Sequence, residues 1–166
     1  MKLSLIGKTA RITAAVFMCG ATWSAYAECP SIPTAQRFEI NGVEVKDKTT
    51  GLIWQRCSVG QTWDGTTCKG QPTEMAQEEA LKYAEKQSPW RLPEIKELTS
   101  LADKYCEDPA IDKIAFPNTP PDYYWSSTAP YPGLSDSAWY VDFYEGDVSG
   151  YYRDNRHPVR LVRTAP

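Results

Sequence analysis

The stretch AWYVDFYEGDVSGYYR, residues 138–153, reads as two strands joined by a short turn. Trp139, Val141 and Phe143 fall on one parity, and Tyr140, Asp142 and Tyr144 on the other. Successive side chains of a strand point to opposite faces. The first three residues therefore predict an apolar core face, and the second three a face of two tyrosines and a carboxylate. Glu145-Gly146-Asp147 supplies the turn, and the piece beginning at Ser149 returns as the second strand of a hairpin.

Working outward, YYWSS (123–127) and PVRLVR (158–163) read as further short strands on either side of this hairpin. In the latter, Val159 and Leu161 are sent one way and Arg160 and Val162 the other, so Arg160 is expected to be a sheet residue paired with an acid. At the other end, RFEINGVEV (37–45) is a hairpin signal, because Asn41-Gly42 tolerates positive φ between alternating flanks. LIWQRC (52–57) is another short strand. Between the two strand-rich ends, PTEMAQEEALKYAEKQSP (72–89) carries Ala76, Ala80, Leu81 and Ala84 at helical spacing, with Thr73 as N-cap and Pro89 beyond the end. LPEIKELTSLAD (92–103) is a second short helix, with Pro93 at its first position and Ile95, Leu98, Leu101 and Ala102 on its buried face. EDPAIDKIAFPNTPPD (107–122) is proline-rich and reads as loop. Strands, two helices, then strands imply an α+β fold with helices on a mostly antiparallel sheet.

The first residues are read as an export signal and not as fold. MKLSLIGKTARITAAVFMCGATWSAYA (1–27) has a basic start, an apolar run and an Ala25-Tyr26-Ala27 end. Residues 28–36 then form an N-terminal tail and 37–166 the domain. Removing the signal leaves 15 basic against 21 acidic residues, a net charge of −6. That balance disfavours nucleic acid and anionic membranes as partners. No later stretch is apolar enough to span a bilayer.

Four cysteines follow the signal. An even count in an exported chain predicts two disulfides. Cys57 with Cys68 is the favoured pair, because the Gly/Thr/Asp-rich loop between them can bring its ends together. Cys29 with Cys106 follows and ties the tail to the middle of the domain.

Motifs for catalysis are lacking. His157 is read as a surface or turn residue. There is no G-x-S-x-G, H-E-x-x-H, phosphate loop or EF-hand pattern. Neither a metal site nor a cofactor is expected, and the chain is read as a non-enzyme. What stands out is aromatic and basic: half of the 20 aromatic residues lie between Tyr123 and Tyr152. Tyrosine's amphipathic ring suits sugar and protein interfaces. The expected ligand-binding residues are Tyr131, Tyr140, Asp142, Tyr144 and Tyr151, joined by Arg153 and Arg156 of the basic C-terminal edge.

Five segments in order resemble a known family: VKDKTTGLIWQRC (45–57), WRLPEIKELTSL (90–101), FPNTPPDYYWSST (116–128), WYVDFYEG (139–146) and PVRLVR (158–163). Together they look like the bacterial exported Lcl C-terminal-like domains, also called domain of unknown function 1566. The resemblance implies a C-type-lectin-like, formylglycine-generating-enzyme-like fold: two helices beside one curled antiparallel sheet. It implies structural roles for Trp54, Trp90, Arg91, Leu92, Pro93, Trp125, Ser126, Ser127, Trp139 and Arg160. The family takes its name from an adhesin that binds sulfated glycosaminoglycans. The resemblance thus implies an exported, adhesin-like binding module of the periplasm, outer surface or medium. Its partner would be a glycan or an envelope protein, the alternative being an accessory subunit of a surface assembly. The mature protein should begin at Glu28. Intact-mass spectrometry of the exported form checks this, and a lipidated Cys19 would refute it.

Overall fold

The computed structural model describes residues 29–129 and 133–165; residues 1–27, read as the signal, and Tyr131 lie outside that range. Within it the chain is α+β, with three antiparallel sheets, three short helices and two disulfides. A four-residue helix α1 (Thr34–Arg37) leads into the first sheet, of order β1 (Phe38–Asn41), β2 (Glu44–Asp47), β3 (Leu52–Gln55), β9 (Val162–Thr164). A two-stranded ribbon of β4 (Thr62–Trp63) and β5 (Cys68–Lys69) sits inside the Cys57–Cys68 loop. Helices α2 (Gln77–Glu85) and α3 (Ile95–Thr99) follow. The third sheet orders β6 (Tyr123–Trp125), β7 (Ser137–Asp142) and β8 (Asp147–Tyr152). One curled sheet was expected; among the described residues there are three sheets, none of them closed or strongly curled. Single bridges, Arg91 to Val162 and Met75 to His157, tie the segments on either side of α2 to the C-terminal stretch.

Both expected hairpins form. β1 pairs with β2 with Asn41 opposite Glu44, so the turn residues are Gly42 and Val43, and Gly42 takes φ 57°. That is one residue later than the sequence reading placed them. β7 pairs with β8 from Ser137–Tyr152 to Asp142–Asp147. Both helices start later than their sequence signals suggested. Ala76 is the N-cap of α2, with Glu79 reaching back to its N–H at 3.2 Å, because Met75 is drawn into the bridge with His157. Glu94 is the N-cap of α3, so Pro93 precedes the helix instead of opening it.

Two core clusters lie on opposite faces of the third sheet. The first gathers Phe38, Val45, Trp54, Leu98, Leu101, Ile111, Phe116, Tyr124, Val141, Phe143 and Val162. The second gathers Val59, Met75, Ala80, Ala84, Leu92, Trp125, Ala138, Tyr140, Val159 and Leu161. Tyr124 opposes Val141 and Trp125 opposes Tyr140 across β6–β7, so each cross-strand pair feeds a different cluster. This corrects the reading of residues 138–144. The parity was right, but the second face is covered at Tyr140 and open only at Tyr144. Tyr140 is only 8% exposed. Trp139 is half-buried and outside both clusters.

Both disulfides match the expected pairing, Cys29–Cys106 and Cys57–Cys68. The tail is further held by Ser31 N–H donating to Asp103 at 2.7 Å and Thr34 Oγ1 to Asp112 at 2.6 Å.

Arg160 is fully buried and has no ion pair among the described residues, contrary to the acid partner expected for it. Its Nη1 donates to the carbonyls of Gln55 (2.9 Å) and Arg56. Its Nη2 donates to Thr119 Oγ1 (2.7 Å) and Ser58 Oγ (3.3 Å), and the guanidinium lies 4.8 Å from the Phe116 ring centroid. Burial pushes this group down from its ordinary value, yet a guanidinium stays protonated in proteins. The charge is carried by carbonyl and hydroxyl dipoles. Arg160→Met keeps the volume but strands those acceptors, and each buried acceptor left unpaired costs about 1–3 kcal/mol. Urea denaturation should show a loss of about 3 kcal/mol or more; a change below about 1 kcal/mol would overturn this account.

Candidate functional site

The expected site does not assemble as one face. Tyr140 sits inside an aromatic cluster, with its ring centroid 4.5 Å from Tyr123, 6.2 Å from Trp125 and 6.4 Å from Tyr151. Asp142 is half-buried and accepts the Tyr144 N–H at 2.7 Å, which braces the β7–β8 turn. Arg153 donates to Gln77 Oε1 at 3.3 Å, and Arg156 pairs with Glu79 at 2.8 Å and donates to the Glu74 carbonyl. The basic edge is thus engaged with α2 and the residues before it, Arg153 half-buried and Arg156 still exposed. What stays open is tyrosine: Tyr144, Tyr151 and Tyr152 are 53%, 45% and 69% exposed, around one hairpin.

His157 is not a surface residue. Its ring lies 4.8 Å from Trp125, 5.3 Å from Tyr123 and 6.4 Å from both Tyr140 and Tyr151. Asp122 stands 3.7 Å from Nδ1, and Nε2 is buried without a hydrogen-bond partner. Burial pushes the imidazole below its ordinary value, while the Asp122 and Glu74 carboxylates pull the other way. Tyr123 is held above its ordinary value, first by the Tyr140 phenol and then by the Asp142 charge. The bridge from His157 to Met75 is what draws this ring in, and nothing in the sequence around His157 signals a contact with residue 75.

A second feature is a surface cleft of 420 Å³ between the Cys57–Cys68 loop and α2. Trp63, Tyr83 and Trp90 line it, with Glu44, Gln55 and Thr62 among its polar groups. Trp63 is placed by β4, where it pairs with the disulfide-bonded Cys68. Arg56 stacks on Trp63 with its Cζ 3.9 Å from the ring centroid, and Arg163 lies 5.2 Å from the Trp90 ring. Neither arginine lines the cleft. The Arg56 guanidinium donates to the carbonyls of Ala115, Gly42 and Ile114, and Arg163 pairs with Glu44 at 2.8 Å. Sequence reading gave Trp90 only a structural role and passed over Trp63. A tryptophan on a short disulfide-closed loop was the signal available for it.

No group of three or more metal-ligating side chains occurs among the described residues. No helix among them is long and apolar enough to cross a membrane.

The His157 cluster makes the fold acid-sensitive in a defined sense. The unfolded chain takes up the imidazole proton first, near pH 6.5, so stability is lost as pH falls from there toward the lower folded-state value. His157→Phe removes this term. Between pH 7.5 and 5 its melting temperature should fall less than that of the wild type; equal slopes would disprove the role.

No curated protein matches this chain, and no solved structure does. The Lcl C-terminal domain model matches residues 43–163, most of the chain and every strand from β2 to β8. All five segments singled out in the sequence fall inside or across that span, and the chain belongs to the Lcl C-terminal domain family.

Proposed function

We propose that this protein is an exported, non-enzymatic binding module that recognises a glycan or a protein at the cell envelope or surface. Two disulfides support an oxidising compartment. The signal-like start and the C-type-lectin-like kinship implied by the family support the same reading. The observation that carries it is the exposed tyrosine group, Tyr144, Tyr151 and Tyr152, on a hairpin whose strand β7, like its neighbour β6, is anchored in the core. Large aromatic rings held on a rigid sheet provide contact area at low cost in conformational entropy.

An accessory role in a surface assembly is favoured by one further feature. β8 is the outer strand of its sheet, exposed along all six residues, and Asp147 is its only charged side chain. Natural edge strands usually carry more protection than that, and such an edge accepts an added strand from a partner.

The test immobilises the mature protein and offers it glycan arrays and solubilised envelope proteins. The wild type should retain a ligand, and Tyr144→Ala/Tyr151→Ala/Tyr152→Ala should weaken retention by at least about tenfold, the effect of losing 1.4 kcal/mol of contact. A wild type silent toward both would sink the proposal.

A further inference from the structure

We infer that the cleft walled by Trp63, Trp90 and Tyr83 binds an uncharged pyranose ring of a glycan. This rests on the binding-module reading and adds a site and a ligand class to it.

The two tryptophans are prepared for stacking. Each is supported by an arginine that lies outside the cleft lining, Arg56 on Trp63 and Arg163 on Trp90. A cation over an aromatic ring holds the indole in place, so less side-chain freedom is lost when a ligand arrives. The loop carrying Trp63 is closed by Cys57–Cys68 and pinned by Asp64, whose Oδ1 accepts the N–H groups of Thr66 and Thr67 at 2.8 Å each. Trp90 is fixed by its N–H bond to the Gln87 carbonyl at 2.9 Å. The volume, 420 Å³, falls within the range of about 300–1,000 Å³ common to small-molecule sites.

Charge decides the ligand class. No lysine or arginine is among the residues that line the cleft, and the arginines beside it are already used. The Arg56 donors serve three carbonyls, Arg163 serves Glu44, and Arg160 is buried behind Ser58. The one lining carboxylate, Glu44, is neutralised by Arg163. A sulfated or uronic-acid glycan would lose its hydration here and gain no counter-charge, which is costly. A neutral sugar loses nothing of the kind. Its apolar ring face meets an indole, and its hydroxyls meet the Gln55 amide and the Thr62 hydroxyl, which make no side-chain hydrogen bond to the described residues.

The experiment titrates the full mature chain with uncharged oligomers of glucose, mannose, galactose and N-acetylglucosamine, and with heparin, while tryptophan fluorescence is followed. At least one neutral oligomer should bind and change the fluorescence, with an affinity unchanged between 0.05 and 0.5 M salt. Trp63→Ala and Trp90→Ala should each weaken it about tenfold or more, Trp63→Phe should keep most of it, and Gln55→Ala, a change to a half-buried side chain that makes no hydrogen bond to the described residues, should weaken it with little change in melting temperature. Heparin binding with no neutral binding would overturn the inference, as would neutral binding untouched by all four variants. If binding survives in the cleft variants but is lost in the Tyr144, Tyr151 and Tyr152 alanine variant, the cleft fails and the binding-module reading stands. If no glycan or envelope protein binds the wild type, both fail.

Discussion

The buried Arg160 guanidinium is the constraint on which the rest of the structure depends. A charge with no carboxylate partner survives inside a protein only if its donors are satisfied. Here the two Nη groups meet that need through three separate parts of the chain: the end of β3 and the residue after it, the first residues of the disulfide loop, and Thr119 in the proline-rich segment; Nε is buried with no partner among the described residues. Ser58 passes the connection on to the Tyr124 hydroxyl at 2.7 Å, and so to β6. The flanking residues leave the strand in opposite directions, Val159 and Leu161 to one core cluster and Val162 to the other. The proline-rich segment has little regular structure of its own, and the arginine gives it a fixed seat. The same geometry explains why an arginine and not a lysine stands here, since several acceptors lie around one planar fork.

Much of this was legible in the sequence, for physical reasons that can be named. The hairpins follow from local turn chemistry at Gly42 and Gly146. The disulfide pairing follows from loop length and elimination. The alternation in residues 158–163 correctly separated Val159 and Leu161 from Arg160 and Val162. What failed were inferences about what lies across a face. Tyr140 and Asp142 read as a wet surface because a polar hydroxyl and a carboxylate share their parity. α2, Leu92 and Val159 come from distant sequence to cover that face, and no local pattern announces them. His157 was misread for the same reason, since its burial depends on a bridge to Met75 formed across 82 positions of chain, the separation also spanned by the Arg156–Glu74 contact. Arg160 was read as a strand residue paired with an acid; β9 begins only at Val162, and the chain before it seats the arginine against carbonyls and hydroxyls instead.

The arginines show how little an inventory of charge says about recognition. Read along the chain, Arg153, Arg156, Arg160 and Arg163 form a basic edge suited to anions. Folded, they are spent on Gln77, on Glu79, on backbone carbonyls and on Glu44. Their role is to hold α2, β3 and the aromatic side chains in position.

The Cys29–Cys106 bridge has a mechanical meaning. It joins the first described residues to a segment just after α3, bypassing β1 to β5 and α2. A pull at the Cys29 end of the domain is therefore passed covalently into its middle. The β1–β2 hairpin, the disulfide loop and the cleft beside it lie within the bypassed loop, off that covalent path.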